Sequence, residues 1–205
     1  MLEKSSFYKK KIIVFDLDGT IVDLDVDWTY LKENLKKRYF KKYNEDCEFV
    51  SISECLNNIV KREDEIELLE IFKIVEDFEM KSINRTKPID EIVSFIKNIT
   101  DIPFLQEVNL SILSLNTRKT IKEVLKLFKI YKYFNLIVGK EDVRYWKPNP
   151  EGLLKIKSHF KVENQEIIYF GDKQKDLKTG KNANIDSFLI NDLIDLIAKN
   201  LDFLQ

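Results

Sequence analysis

Two aspartates separated by one residue, in Asp16-Leu17-Asp18-Gly19-Thr20, follow directly on the apolar run KIIVF. On a strand, side chains two apart point the same way, so both carboxylates face one spot at the run's carboxyl end. Open α/β sheets bind their ligands at that edge. Gly19 permits the sharp turn that takes the chain off the strand. Adjacent carboxylates repel unless they share a cation or a proton, so the pair implies Mg²⁺ or a division of labour between acid and base. A second acidic group, Gly171-Asp172-Lys173-Gln174-Lys175-Asp176, follows the run IIYF, with Asp176 one helical turn beyond Asp172. If the two strands are neighbours, their carboxylates can hold one hard cation between them. Taken alone, Asp172 reads as the N-cap of the helix that follows.

Two further groups would suit an anion. In Lys147-Pro148-Asn149-Pro150 the prolines stiffen the backbone, so Lys147 is a positioned ammonium able to balance a bound dianion. Ser114-Leu115-Asn116 ends the run LSILSL, and a hydroxyl, an amide and backbone N–H groups at a helix start form a small anion site.

These groups need a frame. Apolar runs at Lys11–Phe15, Leu110–Leu115, Leu136–Val138, Ile167–Phe170 and Ser187–Ile190 are the expected strands. Helical patterns near 118–129, 150–160, 174–182 and 192–203 lie between and after the later runs, which implies right-handed crossovers and a parallel sheet covered on both faces. The segment 24–86 instead has helical spacing throughout. Trp28, Leu31, Leu35 and Tyr39 mark one stripe, and Ile66, Leu69, Phe72 and Val75 another, with Ser51 or Ser53 capping a short helix between them. The expected fold is a three-layer, Rossmann-like α/β domain with about five parallel strands, formed by 1–23 and 87–205, with 24–86 inserted as an all-α cap. Pro88 is placed in the first turn of the returning helix, 88–98.

Composition narrows the class. With 34 Lys+Arg against 35 Asp+Glu the net charge is −1, which argues against a general nucleic-acid binder. The 44% hydrophobic content supports a core, yet no tract is long enough for a membrane span. Only nine of 205 residues are Gly or Pro, which favours long elements over turn-rich all-β designs. The charged N-terminus lacks an apolar signal core, so a cytoplasmic protein is expected, with Cys47 and Cys55 as reduced thiols.

In their order and placement the four groups resemble the motifs of the haloacid dehalogenase superfamily of phosphotransferases, in its branch with a helical cap. The likeness runs from Lys11 to about Asp192 and is closest to the phosphoglycolate phosphatase-like group. It implies Asp16 as nucleophile and Asp18 as general acid and base, with Mg²⁺ between Asp16, the backbone carbonyl of Asp18, Asp172 and Asp176. It also implies that Gly19, Thr20, Ser114, Leu115, Asn116 and Lys147 surround the phosphoryl group. The implied activity is a Mg²⁺-dependent phosphatase acting on a small phosphorylated metabolite through an aspartyl-phosphate. Alternatives are a phosphomutase of the β-phosphoglucomutase kind and a non-catalytic binding protein that keeps the fold. A phosphonate hydrolase would need a catalytic cap lysine that sequence does not single out. No nucleic-acid or membrane partner is implied, and monomer or homodimer stays open.

The chain departs from the superfamily pattern at Lys173, where a small hydroxyl residue is usual, and at Tyr145-Trp146, where small residues are. Thr100–Glu107 lengthens a link without evident purpose. Asp23 is placed at the hinge, Asp25 or Asp27 at the start of the first cap helix, and Arg118 and His159 outside the chemistry. The lysines and arginine of 36–42 read as a solvated helix face.

Overall fold

The structure is a computed structural model that describes residues 2–49 and 51–199. The chain enters through β1 (Ile12–Phe15) and a two-residue strand β2 (Val22–Asp23), then runs through three helices, α1 (Trp28–Tyr43), α2 (Ile52–Lys61) and α3 (Glu65–Ser82). It returns through β3 (Lys87–Pro88) and α4 (Asp90–Lys97), and continues as β4 (Asn109–Leu113), α5 (Arg118–Leu127), β5 (Phe134–Val138) and α6 (Glu151–Phe160). The last elements are β6 (Ile167–Gly171), α7 (Gln174–Ala183), β7 (Asp186–Leu189) and α8 (Ile190–Lys199). All five expected strands are present within a residue or two of their apolar runs. The expected extension of the last helix beyond 199 falls outside the described residues.

The main sheet has the order β5-β4-β1-β6-β7 and is parallel throughout. Its strands are apolar on successive residues because helices cover both faces. Ile13 and Phe15 of β1, with Ile168 and Phe170 of β6, join a core completed by α4, α5 and α8. Their neighbours Ile12, Val14, Ile167 and Tyr169 face the other way, toward α6 and α7. The connection leaving β1 ends on one side of it at β4, while β6 flanks it on the other. The strand order thus reverses at β1, where such sheets open a crevice.

The helices of the insertion have their own core, built from Leu31, Leu35 and Tyr39 of α1, Leu56 and Ile59 of α2, and Ile71, Phe72 and Val75 of α3. The expected α1 stripe holds. On α3 the expected stripe holds at Phe72 and Val75 but not at Ile66 and Leu69, which are exposed; Leu68, Ile71 and Glu79 are buried with the first two. Ser51 is the N-cap residue of α2, although its hydroxyl does not cap the helix. Asp27 caps α1 by accepting from Tyr30 N–H, while Asp25 pairs with Arg85.

Two expectations are corrected. Pro88 lies in β3, paired with Val22 of β2, rather than in a helix. This short ribbon also pairs Asp23 with Lys87, and it joins the insertion to the sheet domain. Proline suits such a place because it has no N–H to offer a ladder. Cys47 and Cys55 are not free thiols but form a disulfide, with Cα atoms 6.1 Å apart. The loop before α2 folds back onto the helix, and a spacing of eight residues carries no sign of that. The long link after α4 has a packing role, since Ile99, Ile102 and Leu105 are buried in the core under β1 and β4. Among the described residues no helix is long and apolar enough to cross a membrane.

Candidate active site

β1 ends at Phe15, and Asp16 begins a tight turn whose first N–H still bonds to Phe170 C=O of β6 at 2.9 Å. The two aspartates are therefore brought together by the turn and not by strand alternation. Asp16 Oδ1 accepts from Leu17 N–H at 2.7 Å, and Asp18 Oδ1 from Leu24 N–H at 2.9 Å. Gly19 closes the turn at φ 75°, donating to Val22 C=O. A Cβ there would come within 2.4 Å of Asp172 Oδ2. Gly19→Ala is thus expected to displace Asp172 and to weaken divalent-cation affinity by roughly 10- to 100-fold. Titration of cation-dependent activity against the native chain checks this, and an unchanged midpoint would refute the packing argument.

Asp16, Asp172 and Asp176 bring carboxylate oxygens within 4.8 Å of one another. The donor set is all oxygen, which suits a hard cation such as Mg²⁺. Asp172 Oδ1 is buried without a hydrogen-bond partner, as expected of an atom shaped to meet a ligand. Asp172 is also not the helix cap. Lys173 occupies that place, its N–H bonded to Asp176 Oδ2 at 3.1 Å. The residues present therefore fit the cation.

Lys147 lies at the centre of these acids. Its ammonium is 2.8 Å from Asp16 Oδ2 and 2.6 Å from Asp176 Oδ1, and it donates to Tyr169 Oη at 2.9 Å. Burial alone would push Lys147 down, but Asp16 and Asp176 raise it above the ordinary lysine value. Burial likewise raises Asp16, against the pull of Lys147, whereas Lys147 and the Tyr169 hydroxyl hold Asp176 down despite its burial. Burial also pushes Asp18 up to about 6, poising it to give and take a proton near neutral pH.

Ser114 Oγ donates to Asn116 Oδ1 at 2.8 Å. Asn116 in turn donates through Nδ2 to Glu79 Oε1 at 3.0 Å, and Thr117 donates through its N–H and hydroxyl to Glu79 Oε2, each at 3.0 Å. Lys140 closes the group at 3.5 Å. Glu79 and Lys140 are both buried, and burial lowers Lys140 against the attraction of Glu79. Glu79 comes from α3 of the insertion and its partners from the loops after β4 and β5, so one carboxylate ties the two parts together. Sequence reading missed Glu79, Lys140 and Tyr169. Glu79 could have been found as an acid on the apolar row of α3, at i+7 from Phe72 and i+4 from Val75.

A cavity of about 360 Å³ opens above these groups. Asp16, Asp18, Asp176, Ser114, Leu115, Asn116 and Lys147 line it from the sheet domain, with Trp28, Lys32, Ser51, Ile52, Ser53 and Leu56 from the insertion. Lys140, Trp146, Lys173 and Lys175 complete the wall. Gly19 and Thr20 are not on it: Thr20 is fully buried in the turn. Trp146 packs edge-on against Phe72 and donates to Lys140 C=O at 2.9 Å, whereas Tyr145 is exposed. Arg118 pairs with Asp142, and His159 packs on Phe160; neither lines the cavity. On the basic α1 face Lys36 pairs with Glu48, Arg38 with Glu67 and Lys42 with Asp64, while Lys37 and Lys41 are exposed.

The arrangement is similar to known proteins along most of its length. The pyrophosphatase PpaX of Halalkalibacterium halodurans is 26% identical over 180 residues, covering 87% of this chain and 82% of that one. The phosphoglycolate phosphatase of Aquifex aeolicus is 26% identical over 178 residues, covering 84% and 81%. A HAD-superfamily hydrolase of subfamily IA from Geobacter sulfurreducens has the same fold, with a TM-score of 0.58 at 18% identity over 92% of this chain and 97% of that one. The sequence profile of the family described as haloacid dehalogenase-like hydrolase matches residues 13–190, from the middle of β1 to the start of α8. The chain belongs to the haloacid dehalogenase-like hydrolase family.

Proposed function

We propose that this protein is a Mg²⁺-dependent phosphatase that hydrolyses a small phosphorylated metabolite through an aspartyl-phosphate on Asp16. The observation that carries the reading is the convergence of Asp16, Asp18 and Lys147 on one cavity, with Asp172 and Asp176 beside them. The likeness to a pyrophosphatase and a phosphoglycolate phosphatase supports it. In the first step an Asp16 carboxylate oxygen attacks phosphorus, and the bond from phosphorus to the ester oxygen breaks. Asp18 gives its proton to that leaving oxygen. In the second step Asp18 takes a proton from water as the water attacks the same phosphorus, releasing phosphate and restoring the Asp16 carboxylate. Lys147 and Ser114 hold the equatorial oxygens, where charge is spread in phosphoryl transfer. Asp16, Asp172 and Asp176 would hold the Mg²⁺, which when bound neutralises charge on the phosphoryl group. The insertion keeps bulk water from the site during transfer.

Phosphate release from an activated aryl phosphate and from a panel of metabolite phosphates, with Mg²⁺ and with chelator, tests this. Turnover is expected with Mg²⁺ and is expected to fall to background on chelation. Equal rates in both, or no release from any compound with Mg²⁺ bound, would overturn the reading.

A further inference from the structure

Most of the cavity lysines are matched by a carboxylate. Lys147 has Asp16 and Asp176, Lys173 has Asp172 and Lys140 has Glu79. Lys175 differs. It is half-buried on the cavity wall, and among the described residues no carboxylate lies within ion-pairing distance of it. Its ammonium donates instead to a neutral hydroxyl, Ser51 Oγ, at 3.2 Å. Ser51 in turn shares a hydrogen bond of 2.7 Å with Ser53 Oγ, and both serines line the same cavity. Folding does not favour this placement. Lys175 is in the first turn of α7, where the helix dipole disfavours a cation. Partial burial of an ammonium without a carboxylate adds a desolvation cost. An incoming anion would offset both penalties.

On the phosphatase reading the transferring phosphoryl group has Lys147, and Asp16, Asp172 and Asp176 would supply a cation beside it. We infer that Lys175, with the Ser51–Ser53 hydroxyl pair opposite it, receives a second anionic group on the substrate, so that the preferred compounds are phosphate esters also carrying a carboxylate or a second phosphate. This rests on the phosphatase reading and names the substrate class within it. An anion held there touches α7 of the sheet domain and the start of α2 in the insertion, so it closes the two parts over the reacting phosphorus.

The test uses a matched set of three-carbon alkyl monophosphates ending in carboxylate, phosphate, hydroxyl or ammonium. The native chain is expected to prefer the anionic ends over hydroxyl, with ammonium poorest, and the two anionic members tell a carboxylate site from a phosphate site. In Lys175→Met, the ratio of kcat/KM for anionic over hydroxyl ends is expected to fall about 10- to 100-fold, chiefly through KM. Lys175→Arg should keep the preference, because it keeps the charge. No preference in the native chain, or an equal loss on all members in Lys175→Met, would overturn the inference and leave Lys175 as a structural tether. If Lys175→Met does not fold, the native ranking and Lys175→Arg still decide. If no member is turned over, the phosphatase reading fails by itself. Calorimetric affinities of the same four compounds then judge the subsite, which an absence of anion preference would sink.

Discussion

Asp16→Asn is expected to fold as the native chain does and to lose turnover by a factor on the order of 10⁴ or more, the size of loss seen when a residue acting in a coupled catalytic unit is removed. The amide matches the carboxylate in shape and still accepts the Leu17 N–H through its oxygen. It is not a nucleophile toward phosphorus, so no covalent route remains. Stability should not suffer. Burial raises the Asp16 pKa above its unfolded value, so the folded state binds the Asp16 proton more tightly than the unfolded chain does. The stability contributed by that proton is fully present below the ordinary aspartate pKa and is lost as pH rises through the folded value. At neutral pH the native carboxylate therefore costs stability, and a neutral amide removes that cost. Lys147 keeps Asp176 and Tyr169 as partners in the variant, so no buried cation is left alone. The checks are a melting temperature equal to or above the native one, together with single-turnover rates. A loss below about 100-fold would show that phosphorus is attacked by another group and would sink the covalent mechanism.

The parts of this site that sequence made legible are those fixed by strand ends. KIIVF and IIYF read as buried strands, and whatever follows a strand of a parallel sheet lies at the sheet's carboxyl edge. Asp16 and Asp172 could therefore meet if the two strands were neighbours, and the register of β1 against β6 makes them so: Phe15 lies opposite Phe170, with Asp16 one residue beyond the first and Asp172 two beyond the second. Lys147 was legible because two prolines hold its loop. The insertion was less legible for a physical reason. A helix buries residues at a spacing that several phases can satisfy, and α3 is apolar at Ile66 and Leu69 as well as at Leu68 and Ile71. Ile66 and Leu69 lie off the buried face, whereas Phe72 and Val75 lie on it, and Glu79 continues that face at i+7 and i+4 from them. The disulfide and the β2–β3 ribbon are contacts between segments that no local pattern links.

Glu79→Ala is expected to destabilise the fold by about 3–5 kcal/mol, the usual cost of removing one partner of a buried ion pair. For a chain of this length that corresponds to a melting temperature lower by roughly 6–20 °C. Alanine removes every acceptor that Glu79 offers. Asn116 Nδ2 and the Thr117 N–H lose their acceptor, the Thr117 hydroxyl is left with the Thr120 hydroxyl, and the Lys140 ammonium loses its counter-charge while remaining buried. The pH dependence has a definite sign. Burial already lowers the Lys140 pKa below its ordinary value, and without Glu79 it falls further. A lysine with a depressed folded pKa destabilises the fold wherever the unfolded chain holds the proton more tightly. The deficit is therefore largest at neutral and acidic pH and shrinks as pH rises toward the ordinary lysine value. Removing the cation as well should recover part of the loss, so Glu79→Ala/Lys140→Met is expected to be more stable than Glu79→Ala alone. Chemical denaturation of the native chain, both single variants and the double variant gives the coupling directly. Strict additivity would mean that Lys140 does not depend on Glu79. The remaining loss, which the double variant cannot recover, belongs to the Asn116 and Thr117 donors. Because Asn116 also orients the Ser114 hydroxyl, that part of the network links the stability of the junction to the geometry of the phosphate site.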